Sequence, residues 1–170
     1  TRFIHSLGVM HIADRIAISL DLTVKERKLV RLAGLLHDIG HYPLSHVCEA
    51  PYRKPMFLEA LSDDELCKSI NLSILRDIES FSLTGKTTLM SKSDGRHHES
   101  IGALIVRSNP QIRDIIIREC EDEHAPDIIA DIIIGNVERE ETDPLLVQII
   151  HSELDADGID YLMRDATFSG

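Results

Sequence analysis

The chain has 170 residues, 43% of them apolar and 28% charged, which is one domain's worth of ordinary globular composition. Its formal net charge of -11 argues against a nucleic-acid-binding surface, since phosphate backbones are met by clustered Lys and Arg. The same charge makes an anionic substrate depend on positive charge brought by a metal ion or by further chain. Three scattered cysteines (Cys48, Cys67, Cys120), no signal-like segment and no run apolar enough to cross a bilayer give the expectation of a cytoplasmic protein with reduced thiols and no membrane partner. Aromatics make up 4% and Trp is absent, so the core must be built from Ile, Leu, Val and Ala. The chain opens on TRFIHS without a Met, which is expected of a piece of a longer protein.

Apolar spacing is helical almost throughout. Leu7, Ile12, Ile16 and Leu20 recur at helical intervals in the first segment. TVKE at 23–26 is a capping box, with Thr23 over the free amides and Glu26 reaching back. The helix it opens carries Leu29, Leu32, Ala33, Leu36 and Ile39, and Gly40 is placed to stop it. Pro43 and Ser45 suit a short turn before another helix, and SDDE at 62–65 is a second capping box opening a helix towards Glu79. Residues 81–96 lack periodicity and are rich in Ser, Thr, Gly and Lys, as in a flexible loop. A helix resumes at HHESIGALIV, breaks at Asn109-Pro110 and continues through QIRDIIIREC. Pro126 fits the first turn of the next helix and Gly135 its end, and Asp143-Pro144 signals a last long helix ending near Leu154. The runs DIII at 114–117 and 131–134 are compatible with strands, but their helical flanks favour an all-α chain.

The stretch LLHDIGHYPLSH, residues 35–46, places three histidines and an aspartate at the end of an apolar helix. A buried carboxylate costs several kcal/mol unless paired or metal-bound. His37 and Asp38, adjacent on a helix, point about 100° apart, so both reach one ion only if it sits beside the helix end. Such an ion needs further ligands, and the candidates are His5 and the acids of SELDADGIDYLMRD, among which Asp155, Asp157 and Asp160 compete. An isolated His-Asp pair is more often a helix cap than a ligand pair.

The ordered set RFIHSLG, LLHDIGHYPLSH, HHES and ELDADGIDYLMRD resembles the HD-domain phosphohydrolases, and within them the deoxynucleotide triphosphate triphosphohydrolase (dGTPase-like) branch. The likeness covers residues 1–49, 97–107 and 150–168. It implies a single HD domain over 1–170, an all-α helical bundle around a metal site. By the same resemblance His5, His37, Asp38 and Asp157 form the metal set, Asp157 being the second acid of the family's I/L-D-x-D run, and Asp155 orients a ligand or caps the following helix. Two histidines and two carboxylates leave positions open for water and phosphate and accept Mn, Fe, Ni, Zn or Mg alike.

The resemblance also assigns the surroundings. His41, at i+4 from His37, contacts substrate phosphates, as does Arg2. His46 is the proton donor for the departing oxygen, a role suited to imidazole near neutral pH, and Glu49 stands where the family pairs it with Asp. His98 and Glu99 match a His-Glu pair beside the attacked phosphorus; the HE dipeptide favours His98 over His97. Tyr161 and Asp165 match sugar contacts. His11, His124 and His151 read as surface or capping residues. One departure stands out: Gly158 follows the metal Asp, where relatives carry Lys or Arg that helps to hold the phosphates. The implied activity is metal-dependent hydrolysis of a deoxynucleoside triphosphate to nucleoside and tripolyphosphate, by a homo-oligomer. The rivals are another HD phosphohydrolase (a nucleoside monophosphatase or a phosphodiesterase of a signalling nucleotide) and a non-catalytic nucleotide-sensing module.

Overall fold

The structure, a computed structural model, describes residues 2–41 and 97–169. The expected turn at Pro43 and Ser45, the capping box at 62–65 and the loop at 81–96 lie outside the described residues, as do His46 and Glu49. The chain divides into two compact units, residues 1–40 with 98–170 and residues 41–97. The described part of the first is built of helices joined by turns, with no strand among the described residues, as its apolar spacing leads one to expect.

Seven helices are found among the described residues: α1 (Arg2–Ser19), α2 (Val24–Leu36), α3 (His97–Ser108), α4 (Pro110–Cys120), α5 (Ala125–Ile134), α6 (Pro144–Ile150) and α7 (Ala156–Ser169). Their boundaries follow local chemistry. Thr23 and Glu26 form the reciprocal capping box of α2: the Thr23 hydroxyl accepts from the Glu26 amide at 3.3 Å, and the Thr23 amide donates to Glu26 at 2.7 Å. The Asn109 side chain caps α4 through the Ile112 amide, and Asp143 caps α6 through the Leu145 amide at 2.8 Å. Gly135 ends α5 with φ of 72°, the left-handed conformation that glycine enters without a Cβ penalty.

α5 is the centre of the unit. Ile128, Ile129, Ala130, Ile132 and Ile133 are all buried, and α2, α4 and α6 pack around it. Both DIII runs are helical, the first within α4 and the second, mostly buried, within α5. α1 lies across α2 and touches α7 and α6. The contact with α2 buries Val9, Ala13 and Ala17, with Ile12 and Ile16 packed at its margin, whereas Leu7 and Leu20 are exposed. The buried stripe is rotated from the expected one because the two helices approach closely: a Cβ on Gly34 of α2 would lie 3.3 Å from the Met10 backbone. Small residues are selected at such a crossing.

Two ends differ from expectation. α2 stops at Leu36, with His37 to Gly40 in a turn and Ile39 partly exposed. Gly40 is held against the first turn of α3, where a Cβ would meet the His98 carbonyl oxygen at 2.0 Å. The helix expected to run from Asp143-Pro144 to near Leu154 ends early, at Ile150, and a further helix, α7, starts at Ala156 after a break in which Asp155 accepts from the Gly158 amide at 2.8 Å. Asp155 thus caps α7.

One buried ion network braces α5 from outside the apolar core. Asp131, fully buried, accepts from Arg107 of α3, from Arg139 at 2.6 Å, from Asn136 at 2.8 Å and from Thr142 at 3.4 Å. These contacts tie the turn after α5 to α3 and meet the condition under which a carboxylate can be buried at all.

Candidate metal centre

Three helices meet where α1 crosses the end of α2 and the start of α7. His5 comes from the first turns of α1, His37 and Asp38 from the turn that follows α2, and Asp157 from the first turn of α7. His5 Nε2 lies 2.9 Å from Asp157 Oδ1, and His37 Nε2 lies 3.3 Å from Asp38 Oδ1 and 3.8 Å from Asp157 Oδ1. Ligand atoms of His5, His37 and Asp38 are all within 4.8 Å of one another. The imidazoles meet edge to face, with ring centroids 5.4 Å apart.

The outer nitrogen of each ring is engaged elsewhere. His37 Nδ1 donates to the Gly34 carbonyl at 2.8 Å, and His5 Nδ1 lies 2.7 Å from Asp160 Oδ2. A carbonyl only accepts, so Nδ1 of His37 carries the proton and a neutral ring turns the Nε2 lone pair inward. That buried Nε2 has no hydrogen-bond partner. A buried orphan nitrogen facing two carboxylates is costly in a purely structural site and natural in a metal site. Ligand atoms around a first-row ion at about 2.1 Å stand roughly 3.0–3.4 Å apart, close to the separations here. His5, His37, Asp38 and Asp157 therefore fit a divalent metal.

Electrostatically the site is acidic. Arg2 Nη1 stands 3.7 Å from Asp38 Oδ2 at its rim, with the Arg2 side chain about half exposed. Asp160 is buried beneath His5, and Arg164 donates to both of its oxygens and, through Nη2, to the Ile4 carbonyl at 2.8 Å. Burial alone raises the Asp160 carboxyl, but the hydrogen bonds from Arg164 and His5 outweigh it and hold the group below its ordinary value. Asp157, by contrast, is half exposed and faces the site. Of the three competing acids, Asp157 lines the site, Asp155 caps α7 and Asp160 backs His5.

The other expected residues are spread around this centre. His98 is half-buried, with a ring nitrogen within 4.8 Å of an Asp38 carboxylate oxygen. Glu99 pairs with His151, Oε2 to Nε2 at 3.4 Å. Tyr161 and Asp165 follow Asp157 at four-residue steps along α7 and are both exposed. His41 is half-buried and is the first residue of the other unit.

Two residues have partners that local reading does not reveal. His151, expected at the surface or as a cap, is the C-cap of α6, its amide donating to the Val147 carbonyl; its half-buried ring also packs over Gly135, whose absent side chain makes the room, and reaches Glu99. Asp160, by sequence one of three candidate ligands, stands at i+3 from Asp157, a helical spacing that puts both on one face. His11 and His124 are exposed, as expected.

Comparison with known proteins identifies the family. The HD domain family matches residues 2–162. A deoxynucleoside triphosphate triphosphohydrolase (SAMHD1 homolog) of Dictyostelium discoideum is 49% identical over 57 residues, 29% of this chain and 11% of that protein. The corresponding Bos taurus enzyme is 41% identical over 58 residues, 30% of this chain and 10% of its own length. An uncharacterized protein of Mycoplasma pneumoniae is 32% identical over 174 residues, all of this chain but 32% of that protein. The chain thus spans no more than about a third of the length of these relatives. No solved structure matches it. With the HD domain family matched over almost the whole chain, and His5, His37, Asp38 and Asp157 placed where they could hold a metal, the chain belongs to the HD domain family, the HD phosphohydrolases.

Proposed function

We propose that this chain is the catalytic core of a metal-dependent nucleotide phosphohydrolase that converts a deoxynucleoside triphosphate to deoxynucleoside and tripolyphosphate. The observation that carries the reading is the convergence of His5 Nε2, His37 Nε2 and the Asp38 and Asp157 carboxylates, with both Nδ1 atoms tied back into the protein. The substrate class is supported by the deoxynucleoside triphosphate triphosphohydrolases that align with part of the chain.

The four residues would hold the metal, which when bound supplies Lewis acidity to water and to phosphoryl oxygens. Everything else falls to the chain. Arg2, at the rim beside Asp38, offers a positive contact to phosphate oxygens. His98, near Asp38 at the start of α3, lines the approach to the phosphorus. A water oxygen bonds to the α-phosphorus as the bond to the 5′-oxygen breaks, His46 gives its proton to that departing oxygen, and Glu49 orients His46. His41 contacts the phosphates, and Tyr161 and Asp165, exposed along the same flank of α7 as Asp157, take the sugar.

A second reading has one observation in its favour. Gly158 follows Asp157 and brings no cation, and Arg164, the nearest basic residue along α7, is committed to Asp160 and Ile4. A substrate with fewer phosphates, a nucleoside monophosphate or a signalling phosphodiester, needs less positive charge than a triphosphate.

A product assay on the full-length protein separates the two. Each deoxynucleoside triphosphate is incubated with Mn or Mg, and tripolyphosphate, pyrophosphate and phosphate are resolved by ion exchange. Tripolyphosphate from the wild type and none from His37→Ala is the expected result. Phosphate alone, or cleavage restricted to monophosphates or cyclic nucleotides, would replace the first reading by the second. Metal binding without turnover of any nucleotide would make the chain a sensing module.

A further inference from the structure

The two histidines of the centre are oriented by different means, and the difference has a structural origin. His37 follows the C-terminal end of α2, where carbonyls are left without intrahelical partners, and its Nδ1 takes one of them, that of Gly34, at 2.8 Å. His5 lies in the first turns of α1, where carbonyls are engaged by the amides four residues on and only N–H groups are orphaned. An N–H cannot accept the Nδ1 proton. An acceptor for His5 must come from another element, and the residue that supplies it is Asp160 of α7, at 2.7 Å.

We propose that Asp160 is a positioning residue for the metal ligand His5, locking the imidazole with its proton on Nδ1 and Nε2 turned to the site, and that Gly8 is the space kept open for it. The inference rests on the metal reading of the centre. Asp160 is only 5% exposed, and both of its oxygens are fixed: Oδ2 by His5 and by Arg164 Nε, Oδ1 by Arg164 Nη2 at 3.0 Å. Arg164 is itself anchored to the Ile4 carbonyl at 2.8 Å, one residue before His5, so carboxylate and imidazole share one frame. A Cβ on Gly8 would fall 1.9 Å from Asp160 Oδ1 and 2.6 Å from Arg164 Nη2. Two i+3 pairs therefore interlock: His5 with Gly8 on α1, and Asp157 with Asp160 on α7. In each pair one residue faces the centre and the other provides for it. A buried ion pair is weak as a source of stability, because an apolar pair of similar volume does as well. Its use here is directional, as for carboxylates behind metal-bound histidines generally.

The test uses the full-length protein and reads metal binding, not turnover. Mn2+ affinity is measured by titration calorimetry for the wild type, Asp160→Asn and Gly8→Ala, with far-UV circular dichroism and metal-free thermal unfolding alongside. Asp160→Asn is expected to bind Mn2+ 10–100-fold more weakly while folded. Gly8→Ala, which keeps every polar group and displaces the carboxylate, is expected to shift affinity in the same direction. A purely structural role for Asp160 would lower the metal-free melting temperature and leave the affinity of the folded protein unchanged, and that result overturns the proposal. Should either variant fail to fold, the wild type decides: in the Zn2+-loaded protein labelled with 15N-histidine, long-range proton–nitrogen correlation must place the His5 proton on Nδ1. A proton on Nε2 overturns the proposal. Wild-type protein that binds no divalent metal overturns the metal reading and the inference with it, whereas equal affinity in wild type and folded variants removes the inference alone.

Discussion

Replacing Gly40 by Ala should disable the centre without touching any polar group. The added Cβ would lie 2.0 Å from the His98 carbonyl oxygen and 2.3 Å from the Gly102 amide nitrogen, where ordinary contact begins at 3.4 Å. Both obstacles are backbone, so neither rotates aside. The turn after α2 and the start of α3 must separate by more than 1 Å, and that turn carries His37 and Asp38. Overpacking of this kind costs about 1–3 kcal/mol, or roughly 2–12 °C in melting temperature for a chain of this size. The functional loss should be larger, since metal sites tolerate about 0.2 Å in ligand position and a 1 Å misplacement costs about a hundredfold in rate. Gly102→Ala is the control, because its Cβ would meet Gly40 and Ile39 only at ordinary contact distance, 3.4 Å. Gly102 is inside α3, so alanine there should be neutral or stabilising by up to about 1 kcal/mol. Thermal unfolding and Mn2+ titration of both variants decide the matter. Equal behaviour of the two alanines, or unimpaired metal binding by Gly40→Ala, would refute the claim that close approach of the turn after α2 to α3 sets the ligand positions.

Asp131→Ala leaves Arg107 and Arg139 with their buried partner gone and should cost about 3–5 kcal/mol, read as a lower urea midpoint with unchanged slope. Thr23→Ala removes the capping box of α2 and should cost about 0.5–2 kcal/mol. That cap should also depend on pH in one direction. The Thr23 hydroxyl, then its amide, hold the Glu26 carboxyl below its ordinary value, so the folded-state pKa is depressed. The contribution is fully present above the ordinary glutamate value of about 4.3 and is lost as pH falls from there through the folded value. The stability gap between wild type and Thr23→Ala should therefore narrow only in acid, and a gap that closes above pH 5 would contradict this account.

What could be read without the structure was what neighbours in sequence decide. Thr23 with Glu26, Asn109, Asp143 and Gly135 mark helix ends because cap and capped group lie within four residues of one another. The candidate centre was legible only through motifs in the order of a known family; the fold brings His5, His37 and Asp38 of that set within reach of one another. Failures came where the deciding partner is distant. Leu7 and Leu20 have the right period to be buried, yet the close crossing at Gly34 selects Ala13 and Ala17 instead. The break after Ile150 follows no Gly or Pro at that point, and His151 departs from helix where its ring covers Gly135 and meets Glu99. Asp160 could be placed on the right helical face, but not beside a histidine 155 positions earlier.

That separation affects the order of assembly. His5 and Asp157 belong to the first and last described helices, so an ion gripped by both would cross-link the two ends of the fold. Closing a loop of about 150 residues costs a flexible chain on the order of 4–5 kcal/mol in entropy, which tight coordination would have to overcome in the unfolded chain but finds already overcome in the folded one. A growing polypeptide carries His5, His37 and Asp38 long before Asp157 is made, and only the finished bundle brings the fourth group to them. The ion should therefore arrive last and act as a clasp, and withdrawing it should loosen α1 and α7 before the core around α5.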